Sequence, residues 1–404
     1  MKKVLSFSLF LLVGLVFSQC LPFIAGESMH GIKVTADIVL YICLAFIMIN
    51  VGREFEIDKT RWKSYALDYF IAMFAAAMPW ILIAVYYIFI ISPQAYWGSG
   101  QAWKETLLIS RFAAPTSAGI LFTMLAALNL KSSWMYRKIQ VLAIFDDLDT
   151  ILLMIPLQIC MIGLKWQMAV ILMVVCVLLV FGWKRMGAYR MRQDWKALLF
   201  YSILVIAVTQ GVYHVTEYFF GAHEGVHIEV LLPAFVLGMV MKHQPVESPK
   251  AAVIEEKVST AISYLFMFLV GMSMPQFIGA GIASSADSTS MASAIPMMSW
   301  GMIALHVVAV SLLSNIGKLM PMFFYRDRSW RERLALSVGM FTRGEVGAGV
   351  IFIALGYNLG GPFLLISVLT IVLNLVLTGG FVMVVRRLAL SEYEKNDAAV
   401  SPVK

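Results

Sequence analysis

Val141-Leu142-Ala143-Ile144-Phe145-Asp146-Asp147-Leu148-Asp149-Thr150-Ile151-Leu152-Leu153-Met154-Ile155-Pro156 sets three carboxylates inside an apolar run long enough to cross a bilayer. A charged side chain at the centre of hydrocarbon costs about 3 kcal/mol or more on insertion scales, so such residues mark ion or proton pathways when they persist. The rest of the chain is read outward from these acids.

Of the 404 residues 60% are hydrophobic and 14% charged, whereas an ordinary soluble domain is about 25% charged. The chain therefore reads as an all-α polytopic membrane protein. Apolar runs of spanning length, roughly 17 to 25 residues, lie at 4–24, 36–51, 65–92, 106–128, 137–160, 164–182, 195–220, 226–242, 258–282, 294–325, 333–355 and 362–385, which makes about 12 transmembrane helices. Short connections predict a single transmembrane domain over 1–390, and the tail 391–404 is too short to fold by itself. If the N-terminus is inside, cytoplasmic segments hold 25 of the 31 Lys and Arg residues, and the outer loops hold only Lys33, Lys104 and Lys165. Cytoplasmic loops carry the basic excess, so both termini are expected in the cytoplasm. The net charge of +7 follows from these topology determinants, and no nucleic-acid partner is expected. The start, Met1-Lys2-Lys3 before an apolar run ending Gln19-Cys20, also has the form of a secretion signal; either reading leaves residue 25 outside. The four cysteines lie within apolar runs and outline no disulfide framework or metal knuckle.

Two runs contain helix breakers. In the fourth, Arg111-Phe112-Ala113-Ala114-Pro115-Thr116-Ser117-Ala118-Gly119 places a proline and small polar residues at mid-span, and an internal proline removes a backbone hydrogen bond. In the eleventh, Gly339-Met340-Phe341-Thr342-Arg343-Gly344-Glu345-Val346-Gly347-Ala348-Gly349 has four glycines in eleven residues. Unwound backbone at membrane depth is tolerated only where it is buried in protein or lines a cavity. One interrupted span in each half of a chain points to the substrate site of a transporter built from inverted repeats.

On a helix Asp146 and Asp147 project about 100° apart, and Asp149 lies about 60° from Asp146 on the far side. One carboxylate can face a transported ion while its neighbour faces a counter-charge. A proton and a cation then compete to neutralise the same buried acid, and competition for one site couples their movements in opposite directions. Lys318, in the tenth run, reads either as a lysine snorkelling to the interface or as the counter-charge of Asp146. Arg111, Arg343 and Glu345 also need partners, and structural pairing that holds the broken helices is the expectation. His214, Glu217, His223, Glu224, His227 and Glu229 cluster after the seventh run but match no ligand spacing, so a solvated loop is expected. His306 is expected to be a packed, hydrogen-bonded histidine.

Ala143-Ile144-Phe145-Asp146-Asp147-Leu148, with Pro115-Thr116-Ser117, Gly317-Lys318 and Thr342-Arg343-Gly344-Glu345-Val346-Gly347, resembles the bacterial sodium:proton antiporters of the NapA and NhaA type, in the monovalent cation:proton antiporter superfamily. Gly52-Arg53-Glu54-Phe55 and Phe268-Leu269-Val270-Gly271-Met272 are similar too, so the resemblance spans essentially the whole chain. It implies a panel-like dimerisation domain and a mobile core domain, inverted repeats with the fourth and eleventh spans broken and crossing near the ion site, a homodimer in the bacterial cytoplasmic (inner) membrane, and a role in pH homeostasis. It assigns cation binding to Asp147 and pairs Asp146 with Lys318, with Pro115, Thr116, Ser117 and Gly344 lining the site at the breaks. Two aspartates imply electrogenic exchange of external H⁺ for internal Na⁺ or Li⁺. Asp149 departs from the family, where a small or apolar residue is usual, and an ion pair with Arg111 or Arg343 is expected for it.

Potassium:proton exchange and a sodium-coupled solute symporter of similar fold stand as alternatives. No enzyme is expected. Intramembrane prenyltransferases need a second acidic cluster facing the first, and an intramembrane aspartyl protease needs its two aspartates on different helices; neither is present. No cofactor and no structural metal are expected, Na⁺ being substrate.

Overall fold

The computed structural model describes the chain apart from residues 1, 26–28, 55–61, 127–132, 163–165, 222–225, 227, 229, 243–248, 274–297, 345, 348–349, 352–353, 355–358, 360 and 401–404. Its helices are α1 (Lys2–Ala25), α2 (Met29–Glu54), α3 (Trp62–Tyr86, extended by a π-helical turn to Ile91), α4 (Gly100–Ser110), α5 (Ala118–Ala126), α6 (Trp134–Ile162) and α7 (Trp166–Arg185). There follow α8 (Trp195–Phe220), α9 (Leu231–Val240), α10 (Pro249–Met272), α11 (Trp300–Gly317), α12 (Trp330–Gly339) and α13 (Gly361–Val400). Each apolar run read from the sequence contains helix among the described residues. Among the described residues seven helical segments are long and apolar enough to cross a membrane. One difference is α13, which continues through the tail to Val400; the Leu, Glu, Lys and Ala of 388–400 are strong helix formers that extend a helix already nucleated.

The chain divides into two compact units, Met1–Gln19 with Arg61–Leu157 and Met274–Lys404, and Cys20–Thr60 with Gln158–Ser273. In the second unit α2 packs on α9 through two glycines. A Cβ on Gly52 would stand 2.2 Å from the Phe235 carbonyl oxygen, and one on Gly238 would stand 2.1 Å from that of Ile49, so the two backbones touch, as small residues allow in membrane packing. Arg53 anchors the end of α2 to Glu255 at 3.0 Å. Helix α8 buries Leu198, Ser202, Ile206 and Thr209 while Phe200, Ile203, Leu204, Val208 and Val215 are exposed. An outer face of large apolar side chains is unlike that of a soluble amphipathic helix and suits contact with lipid.

In the first unit α3 packs on α11, and α13 packs on both α11 and α12. A Cβ on Gly317 would stand 2.5 Å from the Pro79 backbone nitrogen, so α11 lies directly against α3 one residue before Lys318. Of the seven spanning segments, the one that contains the Pro115 break is the most enclosed, with 94% of its most apolar stretch buried against 22–50% elsewhere.

Candidate functional site

Helix α6 places Asp146, Asp147 and Asp149 in the interior, 0%, 8% and 1% exposed. Helix α11 ends at Gly317, and Lys318 occupies its C-cap. From there the Lys318 Nζ donates to Asp146 Oδ1 at 2.7 Å and to Oδ2 at 2.8 Å, with both side chains fully buried. A third donor comes from the broken fourth span, whose Thr116 N–H reaches Asp146 Oδ2 at 2.7 Å. That amide is available because the chain leaves helical geometry after Ala113: a single 3-10 turn (Arg111–Ala113) follows α4, and helix resumes only at Ala118. Pro115 supplies no N–H to continue the ladder. The Asp146 carboxylate thus has the paired, multiply bonded surroundings that a buried charge requires.

The two interrupted spans satisfy one another. Ser117 N–H donates to the Thr342 carbonyl at 3.0 Å, the Thr116 hydroxyl to the Met340 carbonyl at 3.2 Å, and the Thr342 hydroxyl to the Ser117 carbonyl at 3.5 Å. Backbone groups freed at membrane depth need such partners. Gly344 keeps the junction narrow, since a Cβ there would lie 2.6 Å from Ile120 Cδ1 and 3.0 Å from Ser117 Oγ. The structure therefore brings together Asp146, Lys318, Thr116, Ser117 and Gly344 beside Pro115, with Asp147 next in the chain.

Asp149 differs from its expected pairing. Arg111 reaches residue 149 through the main chain, Nη2 donating to the carbonyls of Asp149 at 3.0 Å and Thr150 at 3.2 Å, while its guanidinium lies 4.4 Å over the Trp80 ring. Arg343 donates to the Met340 carbonyl at 3.1 Å and to Ser314 Oγ at 2.9 Å. Among the described residues neither arginine forms an ion pair with the Asp149 carboxylate, which faces the Tyr69 hydroxyl. Arg111 Nη2 and Arg343 Nη1 are directed to main-chain carbonyls and Arg343 Nη2 to Ser314, while Arg111 Nε and Nη1 have no hydrogen bond among the described residues. Glu345 lies outside the described residues, as do His223, Glu224, His227 and Glu229. His214 and Glu217 form a loose pair at 3.6 Å, with the histidine 71% exposed. His306 is buried and hydrogen-bonded to the Tyr86 hydroxyl at 2.8 Å, as expected.

Two polar constellations escaped the sequence reading. Asp68 of α3 is 1% exposed, paired with Lys138 of α6 and bonded by the Tyr325 hydroxyl at 2.7 Å. Burial and then the adjoining Asp68 carboxylate push the Tyr325 hydroxyl far above its ordinary range. The second is a polar stripe on α13, Ser367, Thr370, Asn374 and Thr378, all at most 1% exposed. Helical spacing was its available signal, because these residues recur every three or four positions in an otherwise apolar run.

Comparison with curated proteins finds no match. A family model described as "Sodium/hydrogen exchanger, transmembrane" matches residues 3–387. With nearly the whole chain covered, and the acids of α6 buried where two interrupted spans meet, the chain belongs to the transmembrane sodium/hydrogen exchanger family of the monovalent cation:proton antiporter superfamily and is an integral membrane cation:proton antiporter.

Proposed function

We propose that this antiporter exchanges external H⁺ for internal Na⁺ or Li⁺ by alternating access, with Asp147 as the cation-binding carboxylate and Asp146–Lys318 as the coupled pair beside it. The observation that carries this reading is the fully buried Asp146–Lys318 bond at 2.7 Å, one residue from Asp147 and at the junction of the two helix breaks. A cation arriving at Asp147 and a proton leaving it compensate each other's charge, so neither crosses the low-dielectric interior uncompensated. Thr116, Ser117, Pro115 and Gly344 line the site, while Arg111 and Arg343 hold the breaks and Asp149 supports the acids through Tyr69.

Exchange of two protons per sodium is the stoichiometry proposed for the Asp-Asp pair. It moves one net charge per cycle, worth about 2.3 kcal/mol per 100 mV, so an inside-negative potential would help to drive extrusion. All described site residues lie in the first compact unit, which we read as the mobile core, with the second as a dimerisation domain and the broken spans crossing at the site. Residues 1–390 act as the transporting membrane domain, in a bacterial inner membrane with both termini cytoplasmic, as the distribution of basic residues supports.

The test is proton movement in proteoliposomes on addition of Na⁺, Li⁺ or K⁺ across a pH series, with Asp147→Asn as control. The expected result is a response to Na⁺ and Li⁺ that is lost in the variant, with apparent affinity improving as pH rises because protons compete less. Equal affinity at about pH 6 and pH 9 would contradict direct competition. A response to K⁺ alone would reassign the cation.

A further inference from the structure

Helices α11 and α13 share a polar seam inside an otherwise apolar unit. Asn374 donates to Ser311 Oγ at 3.0 Å and to the Thr370 carbonyl at 2.9 Å, and its Oδ1 accepts from Asn315 at 3.0 Å. At the end of α13 nearer Gly361, the Tyr87 hydroxyl meets Ser367 Oγ at 2.8 Å. On α11 Ser311, Ser314 and Lys318 follow one another on a single face, and Arg343 bonds Ser314 at 2.9 Å. Polar groups thus run from Tyr87 through Ser367, Thr370, Asn374, Ser311 and Ser314 to Lys318. The stripe on α13 alone, from Ser367 to Thr378, is about 16 Å long.

Ordinary helix–helix adhesion through polar side chains would leave these groups bonded to each other, yet three atoms along the seam have no partner. Thr370 Oγ1, Asn315 Oδ1 and Arg343 Nε are buried and without a hydrogen bond among the described residues. An unsatisfied buried polar atom costs about 1–3 kcal/mol, and ordered water is the usual remedy where several polar groups converge. Thr370 stands one turn from Ser367 and one turn from Asn374, so a water bonded to its hydroxyl would bridge the break between the Tyr87–Ser367 pair and the Asn374 network.

We propose that this seam is a binding site for a short file of ordered water that connects the Tyr87 end of α13 with Lys318 and carries the exchanged protons. Each water accepts one proton from the Tyr87 side and releases another toward Lys318, so the file is regenerated and no other bond is made or broken. The titratable or charged groups facing it are Tyr87, Arg343 and Lys318, at 0%, 1% and 0% exposure. The inference rests on the antiport reading for its proton role, but the water site itself does not.

Thr370→Val is the decisive variant, because it keeps the side-chain shape and removes a hydroxyl that bonds no protein atom among the described residues. Ser367→Ala serves as a second. Synchrotron hydroxyl-radical footprinting of the purified protein reads water beside a buried side chain directly, and proteoliposome exchange reads the proton route. Tyr87 should be labelled in the unaltered protein despite its burial. Thr370→Val should lower that labelling and slow exchange at saturating Na⁺ by about tenfold, the scale of one lost hydrogen bond in a rate, with unchanged thermal stability and unchanged stabilisation by Na⁺. A Tyr87 that resists labelling, or a Thr370→Val protein that exchanges at the original rate, overturns the proposal. If Tyr87 is labelled in a Thr370-dependent way but the unaltered protein moves no protons on cation addition, the antiport reading fails and takes the proton role with it, leaving the water site.

Discussion

Two acid–lysine pairs lie in the same unit and teach different things. Asp146–Lys318 is fully enclosed, both side chains 0% exposed, and the third bond to the acid comes from a backbone amide that exists only because a helix is broken. Asp68–Lys138 has an equally buried acid, but its lysine is 17% exposed and its second bond comes from a side-chain hydroxyl, that of Tyr325. Neither member of the first pair reaches bulk solvent, so either partner alone is an uncompensated charge in a medium that penalises it heavily. In the second, Lys138 can turn toward solvent if Asp68 is lost. Identical residue types therefore make a fully enclosed pair in one place and a partly solvated tie between two helices in another.

The sharpest way to break this contrast is Lys318→Met. Leaving Asp146 alone in the interior should cost about 3–5 kcal/mol, measured as lost thermal stability in detergent. Asp146→Asn combined with Lys318→Met should lose clearly less than the two single changes added together, and simple additivity would show that the two residues do not form a coupled pair. Next in size is Gly317→Ala, whose methyl group would be forced against the Pro79 backbone. Overpacking of about 1–3 kcal/mol is expected, with Na⁺-dependent exchange reduced more than stability because Lys318 is displaced; a variant with normal exchange would show that the α3–α11 contact does not set the position of the lysine.

Asp68→Asn should cost about 1.5–3 kcal/mol, the range for a hydrogen bond to a charged group, while leaving the apparent Na⁺ affinity within twofold. A large affinity change would place this pair in the transport machinery and erase the distinction. The smallest effect is expected from Tyr325→Phe, about 1 kcal/mol. Because its folded-state pKa is raised above the unfolded value near 10, the Tyr325 contribution is fully present below pH 10 and declines only as pH rises beyond it. The stability difference between the variant and the parent should therefore be flat from about pH 6 to pH 9, and a slope in that window would show that Tyr325 titrates there.

Hydropathy located the helices because twenty consecutive apolar residues have one stable fate in a bilayer. Both helix breaks were readable from Pro115 and from the glycines around Arg343, since these residues fail locally, whatever their surroundings. The surroundings of Asp149 were not legible, for the opposite reason. The nearby arginines led to the expectation of an ion pair, but Arg111 Nη2 and Arg343 Nη1 reach the carbonyls of Asp149, Thr150 and Met340, and only the path of the backbone reveals that placement. Asp68 carried no signal in the sequence, because its partner Tyr325 lies 257 positions away and meets it only in the fold.

What the sequence by itself determined is the class of molecule and where its costly groups lie: apolar runs, their breakers, and acids within an apolar run. Those features act through solvent transfer and local backbone chemistry, which depend on neighbours in the chain. The tertiary structure alone decided which cation meets which carboxylate, that the two breaks bond each other, and that Asn374 lies against Ser311 and Asn315. Hydrogen bonds and ion pairs depend on distances of about 3 Å, and such distances between remote residues are set only when the helices pack.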